Sequence, residues 1–281
     1  MVSSQAVLQN LDTYLIHYSK LTIRFDLHRS SFTWDLLQPS VVTEKCIDTT
    51  CLPKSSDYIP NSSIRVSMFG NISSIYHILD YHAYCASKGL FRISPAIYSF
   101  ADHIVTKSSK LKLHFLAALK SYSRKNQELS FQHLHAIRCF IDSGKNFGLF
   151  LEDDSFHIDQ DQDSFTRQLD EILTDMLLID CGYCDISNSF NWTPKVAAKS
   201  KNSIFRMADG QTRCCSSYLL TRKAAMKIAS CSEYPYLPID WHLSYLLHCL
   251  RIPTFWAVNP LFVQGSQAGI CPSNQSERGS C

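Results

Sequence analysis

The passage that most constrains the fold is 126–154, "NQELSFQHLHAIRCFIDSG" followed by "KNFGLFLEDD". Leu129, His133, Ala136, Ile137, Phe140 and Ile141 recur at i, i+4, i+7 and i+8, the spacing of one apolar helix face. Asn126 stands where an N-cap is wanted, and Gly144 where a helix C-terminus favours glycine. The period then changes. Phe147 to Leu151 form an unbroken apolar run, as in a strand covered on both faces. A helix feeding directly into a doubly covered strand predicts an α/β layered fold with a mainly parallel central sheet flanked by helices.

The remaining chain repeats this alternation. "TYLIHY" (13–18) reads as the first strand, a weakly helical stretch follows, and "VVTEKCID" (41–48) reads as a second strand. Residues 52–64, rich in Ser, Pro and Asn, read as a loop. Ile75, Ile78, Leu79 and Tyr84 have helical spacing, whereas 93–110 gives no clear pattern. A helix is expected over 164–175 on Phe165, Leu169, Ile172 and Leu173, then a buried strand in "DMLLIDC" (175–181). Residues 185–212 read as an irregular loop over a site. "SSYLLTRKAAMKIAS" reads as a strand turning helical near Thr221. "LPIDWHLSYLLHCLRI" reads as a turn into a helix with Asp240 as its cap. "PTFWAV" is the last expected strand, and 264–281 a polar tail with little core potential.

Several function classes fall away on composition. A net charge of +2 over 281 residues offers no bulk attraction for nucleic acid. No apolar run approaches the ~20 residues of a membrane-spanning helix. The N-terminus lacks a basic region followed by an apolar stretch, so a cytoplasmic location is expected. On that expectation the 12 cysteines read mostly as reduced, buried hydrophobes. The one CxxC, Cys181–Cys184, lacks the second pair that a structural zinc site needs. The N-x-S/T patterns at Asn61, Asn71, Asn191 and Asn274 are short enough to arise by chance.

The chemistry candidates begin where the apolar run ends, at Glu152, Asp153 and Asp154. Acids are common in turns, and strands must end somewhere. Adjacent like charges beside a core are nevertheless costly, and a divalent cation would relieve them. Strand alternation would set Glu152 and Asp154 on one side and turn Asp153 away. In open α/β sheets ligands gather at the carboxyl ends of strands. Carboxylates there can hold Mg²⁺ or Mn²⁺ together with phosphate oxygens. "DQDQDS" (159–164) imitates an EF-hand opening but has Ser164 where glycine is needed and Asp170 at the twelfth place. It reads as a solvated turn capping the next helix. His133 is either a satisfied core histidine or a site residue. Asp240 is either a helix cap or a carboxylate presented to the same pocket. His242 and His248, six apart, do not share a helix face. No Walker loop, Rossmann glycine fingerprint or nucleophile elbow is present.

In order and spacing, these pieces resemble glycosyltransferase family 25, which includes lipopolysaccharide and collagen galactosyltransferases. The resemblance rests on "TYLIHYSKLTIRFDLHRSSF", "TEKCID", "ELSFQHLHAIRCFIDSGKNFGLFLEDDSF", "TDMLLIDCG", "CCSSYLLTRKAAMKI", "LPIDWHL" and "NPLFVQGSQAG". It covers most of 10–50 and 122–270, and leaves out an atypical, insertion-like 53–115. Gln132 stands where the family has serine before the helix histidine.

The resemblance implies a single GT-A-like domain over 1–270, followed by the tail 271–281. It implies an inverting hexosyltransferase that moves a galactose-type sugar from a nucleotide-sugar donor, UDP-linked, to a glycan or other hydroxyl acceptor. Lipopolysaccharide or other polysaccharide synthesis, with peripheral membrane contact, is the corresponding setting. The EDD, with Asp153 among its donor-facing acids, then stands for the DxD-type motif. Asp154 with Glu152 would hold Mn²⁺ or Mg²⁺. Asp240 would be the base, with Asp209 in reserve. Arg24, His133, Ser217 and Tyr218 would serve the donor. The alternative is a catalytically inactive GT-A-like protein that binds a nucleotide or glycan.

Overall fold

The computed structural model describes residues 8–47, 96–107, 115, 124–158, 161–189, 201–207, 210–231, 235 and 237–271. The helix expected around 75–84 and the reserve base Asp209 lie outside them. So do most of the insertion-like segment and the tail beyond Cys271.

Nine strands and eight α-helices occupy the described residues. They run β1 (Leu11–His17), α1 (Thr22–Arg29), α2 (Phe32–Leu37), β2 (Ser40–Thr43), α3 (Ala96–Lys107), α4 (Arg124–Ser143), β3 (Phe147–Glu152), β4 (Ser155–His157) and α5 (Gln162–Leu178). Then come β5 (Tyr183–Asp185), β6 (Ile204–Met207), β7 (Ser217–Thr221), α6 (Arg222–Ser230), α7 (Ile239–Cys249), β8 (Thr254–Ala257), β9 (Phe262–Gln264) and α8 (Gly265–Ala268).

The central sheet has seven strands in the order β2-β1-β3-β7-β5-β8-β6. β2, β1, β3, β5 and β8 share one direction, while β7 and β6 oppose it. The sheet is therefore mostly parallel, as expected, with two opposed strands that make it mixed. Periodicity reports burial on each face but not strand direction. A two-stranded ribbon, β4 with β9, lies beside the main sheet.

Alternation along the strands makes two cores. On one face Tyr14, Ile16, Phe150, Tyr218 and Leu220 pack under α4, α6 and α7. On the other, Leu15, Leu149, Leu151 and Leu219 pack under α5 through Phe165, Leu169, Ile172, Leu173 and Met176. An aromatic row crosses four neighbouring strands on the first face. Tyr14, Phe150, Tyr218 and Tyr183 stack in sequence, with centroids 5.5, 4.9 and 5.3 Å apart. Gly148 lets α4 come close to β3, because a Cβ there would sit 2.9 Å from the Phe140 ring.

Several local expectations are corrected. The helix expected to end at 175 continues to Leu178, and the strand after it is only Tyr183–Asp185. Leu177 and Leu178 are exposed, so that apolar run was surface helix rather than buried strand. The second strand stops at Thr43, whose side chain caps a 3₁₀ turn over Glu44–Cys46. Asn126 lies inside α4 rather than capping it. The stretch 96–107, which shows no clear pattern, is helical. Past 264 the chain is not a featureless tail, since Gly265 and Cys271 are buried. β6 lies inside the expected 185–212 loop, and β9 follows the strand expected to be last. Three helix ends fall where the sequence sets them. Asp161 caps α5 by accepting from the Asp163 and Ser164 amides, Thr221 caps α6, and Gly144 takes φ +80° after α4.

Candidate functional site

The three acids at the end of β3 are held in three different ways. β3 ends at Glu152, and Asp153 and Asp154 form the turn into β4, so strand alternation no longer governs the last two.

Asp153 is 5% exposed and accepts three hydrogen bonds. They come from Arg24 (2.9 Å), His17 Nδ1 (3.1 Å) and the Tyr18 amide (3.2 Å). Burial opposes its charge, but the His17 and Arg24 hydrogen bonds hold its carboxyl below the usual range. Arg24, expected to meet phosphate or nucleotide, is itself buried and engaged with Asp153. The pair ties α1 and the end of β1 to the β3–β4 turn. Gln132 adds a second tie, donating to the His17 carbonyl at 3.2 Å from α4.

Glu152 turns toward α4. Its Oε1 lies 3.3 Å from His133 Nε2, and His133 Nδ1 lies 2.9 Å from the Tyr218 hydroxyl. Burial pushes the Glu152 carboxyl well up, and the charges of Asp154, Asp153 and Asp240 push it further. Burial holds His133 neutral, with its pKa pushed down to about 3.

Asp154 faces the chain's last described segment. Its Oδ2 accepts from Ser266 Oγ at 2.7 Å, and its carbonyl accepts from the Gly265 amide at 2.6 Å. Its Oδ1 is buried and makes no hydrogen bond of ordinary geometry with a described residue. The Gln264 amide is close enough to favour the ionised form, as are Ser266 and Arg24, yet burial dominates and raises the pKa.

Asp240 comes from the far end of the sequence. It lies one residue inside the first turn of α7, and the cap position belongs to Pro238. The cap expectation is corrected accordingly. The residues of "LPID" place the helix start earlier because proline at the cap needs no amide partner. The Asp240 Oδ1 accepts instead from the Trp241 amide at 2.9 Å. Burial pushes its pKa up to about 6. The structure thus brings Asp240 into electrostatic reach of Glu152. α7 packs on α4, and Ser130 Oγ donates to the Leu237 carbonyl at 3.3 Å.

Ser217 and Tyr218, expected to line the donor pocket, are both fully buried in β7. Ser217 Oγ has no hydrogen-bond partner among the described residues.

Two features give no signal in the sequence. Cys214 and Cys215 take φ +79° and +58°, a left-handed turn without glycine. Such backbone costs about 1–3 kcal/mol per residue and concentrates at functional sites. The turn delivers the Ser216 carbonyl to the Glu152 amide and to Ser155 Oγ. The second feature is a buried ion pair. Asp185 ends β5 and accepts from the Arg213 amide (2.6 Å) and from the Ser187 amide and hydroxyl (3.0 and 2.7 Å). The Arg213 guanidinium lies over Trp256 and donates to the Ala257 carbonyl. This pair anchors the strained turn.

Among the described residues no three His, Cys, Asp or Glu side chains converge as a ready metal-ligand cluster. A hard cation that also takes diphosphate oxygens needs only one or two carboxylates from the protein. The under-satisfied Asp154 Oδ1 fits that requirement, with Glu152 at the adjoining end of β3.

Among the described residues no helix is long and apolar enough to cross a membrane. No family model matches the chain, and no curated protein matches it.

Proposed function

We propose that the chain is a metal-dependent glycosyltransferase of GT-A type, moving a galactose-type sugar from a UDP-linked donor to a glycan hydroxyl. The family-25-like motifs suggest the chemistry. The buried Asp154 carboxylate with an oxygen lacking a regular partner is the observation that carries the reading. An unmade interaction at a buried carboxylate costs on the order of 1–3 kcal/mol, which a cation would recover. Asp154 and Glu152 would hold Mn²⁺ or Mg²⁺. Bound there, the ion supplies Lewis-acid stabilisation of the leaving diphosphate.

The protein's own part is positioning and proton transfer. Asp240, with its pKa near 6, is mostly ionised at neutral pH and basic enough to take the acceptor's proton. Asp153 stays ionised on Arg24 and keeps the β3–β4 turn in place, rather than meeting the donor.

The test is calorimetry of UDP binding with and without Mn²⁺. The expected result is binding that requires Mn²⁺ and disappears in Asp154→Asn. Binding that ignores both the ion and the substitution would refute the metal assignment. One observation favours the second reading, a non-catalytic binder: Ser266 and Gly265 already engage Asp154. UDP binding without any turnover would select that alternative.

A further inference from the structure

We infer that His133 and Tyr218 are positioning residues that hold the Glu152 carboxylate at the acidic end of the sheet, and that neither touches the donor or the ion. This rests on the proposed metal role of Asp154 and Glu152. It moves His133 and Tyr218 out of the donor-contacting set.

Exposure separates the roles. His133 and Tyr218 have no accessible surface, whereas the Glu152 side chain is 14% exposed. Only Glu152 in this row opens to a ligand. Both imidazole nitrogens are already used, Nδ1 on Tyr218 and Nε2 on Glu152. A neutral imidazole has one N–H and one acceptor nitrogen. With the Tyr218 phenol donating to Nδ1, the single N–H lies on Nε2 and donates to the Glu152 carboxylate. The direction of the chain is therefore set from Tyr218 outward.

Tyr218 is itself locked. Its ring stacks between Phe150 and Tyr183 and also against His133, at centroid distances of 4.9, 5.3 and 5.7 Å. Such aromatic packing in a β-strand leaves the hydroxyl little freedom. The strut has a clear task. Asp154, Asp153 and Asp240 all repel the Glu152 carboxylate, the Arg24 charge opposes them, and His133 meets the carboxylate with a hydrogen bond.

The test uses the full chain. Mn²⁺ affinity is measured by electron paramagnetic resonance of the free ion for wild type, Tyr218→Phe and His133→Gln. Melting temperatures and imidazole ¹⁵N NMR are recorded alongside. Tyr218→Phe keeps the ring stack and removes only the donor, so it reports even where His133→Gln fails to fold. The expected results are an Nε2–H tautomer for His133 and Mn²⁺ binding about 10- to 100-fold weaker in each folded variant, the usual effect of losing a ligand's hydrogen-bond partner. An Nδ1–H tautomer would overturn the strut. So would variants with lowered melting temperatures but wild-type Mn²⁺ affinity, since that is the pattern of core residues alone. A wild type that binds no Mn²⁺ would remove the metal reading itself, and the inference with it.

Discussion

Replacing Asp240 by asparagine should stabilise the protein at neutral pH and leave it unchanged in acid. Asparagine is nearly isosteric, and its side-chain oxygen can still accept from the Trp241 amide. What it removes is the cost of ionising a carboxyl whose pKa rises from 3.8 unfolded to about 6 folded. The sign follows from proton binding. Between those two values the folded state holds more protons than the unfolded state, so stability falls as pH rises. The carboxyl therefore costs nothing below pH ~4 and its full amount above pH ~6.5. Roughly two units at about 1.4 kcal/mol each set a ceiling near 3 kcal/mol. Asp240 is only partly buried, and solvent screening reduces this to about 1–2 kcal/mol. Relief of Glu152, which feels the Asp240 charge, acts in the same direction. Urea unfolding of both proteins from pH 4 to pH 8, without metal, measures the difference. A gain that grows through pH 4–6 and then levels off is expected. A variant that is less stable at pH 8, or equally shifted at every pH, would refute the burial argument.

Two other perturbations test the framework of the site. Arg24→Met should cost about 3 kcal/mol in urea unfolding, because it strands a buried Asp153 that keeps only His17 and the Tyr18 amide. Gly148→Ala should cost about 1–2 kcal/mol, seen as a lower melting temperature, because the new methyl meets Phe150 at 2.8 Å and Phe140 at 2.9 Å.

What the sequence reveals here follows its physics. The passage from α4 into β3 was legible because two periods meet at Gly144, as were the turn capping α5 and the start of α6 near Thr221, where Asp161 and Thr221 satisfy amides locally. The direction of β7 was not legible, since an antiparallel strand in a buried sheet has the same apolar run as a parallel one. The helix over 175–178 was missed because a short apolar run fits either element. Among the acids, alternation did not apply, because β3 ends at Glu152 and Asp153 and Asp154 lie in the turn. It could not show that Asp153 is the best-satisfied of the three, because Arg24 and His17 reach it from β1 and α1, more than a hundred residues away in sequence. The left-handed turn at Cys214–Cys215 leaves no trace, because neither residue type favours that backbone.

Sugar transfer itself tests the central claim most directly. Wild type and Asp154→Ala are each given UDP-galactose, Mn²⁺ and a panel of glycan acceptors, and release of UDP is measured. The account predicts acceptor-dependent, Mn²⁺-dependent release by the wild type, and background release by the variant. Equal release by both proteins would contradict the metal role of Asp154, and no release with any donor or acceptor would contradict the transferase assignment.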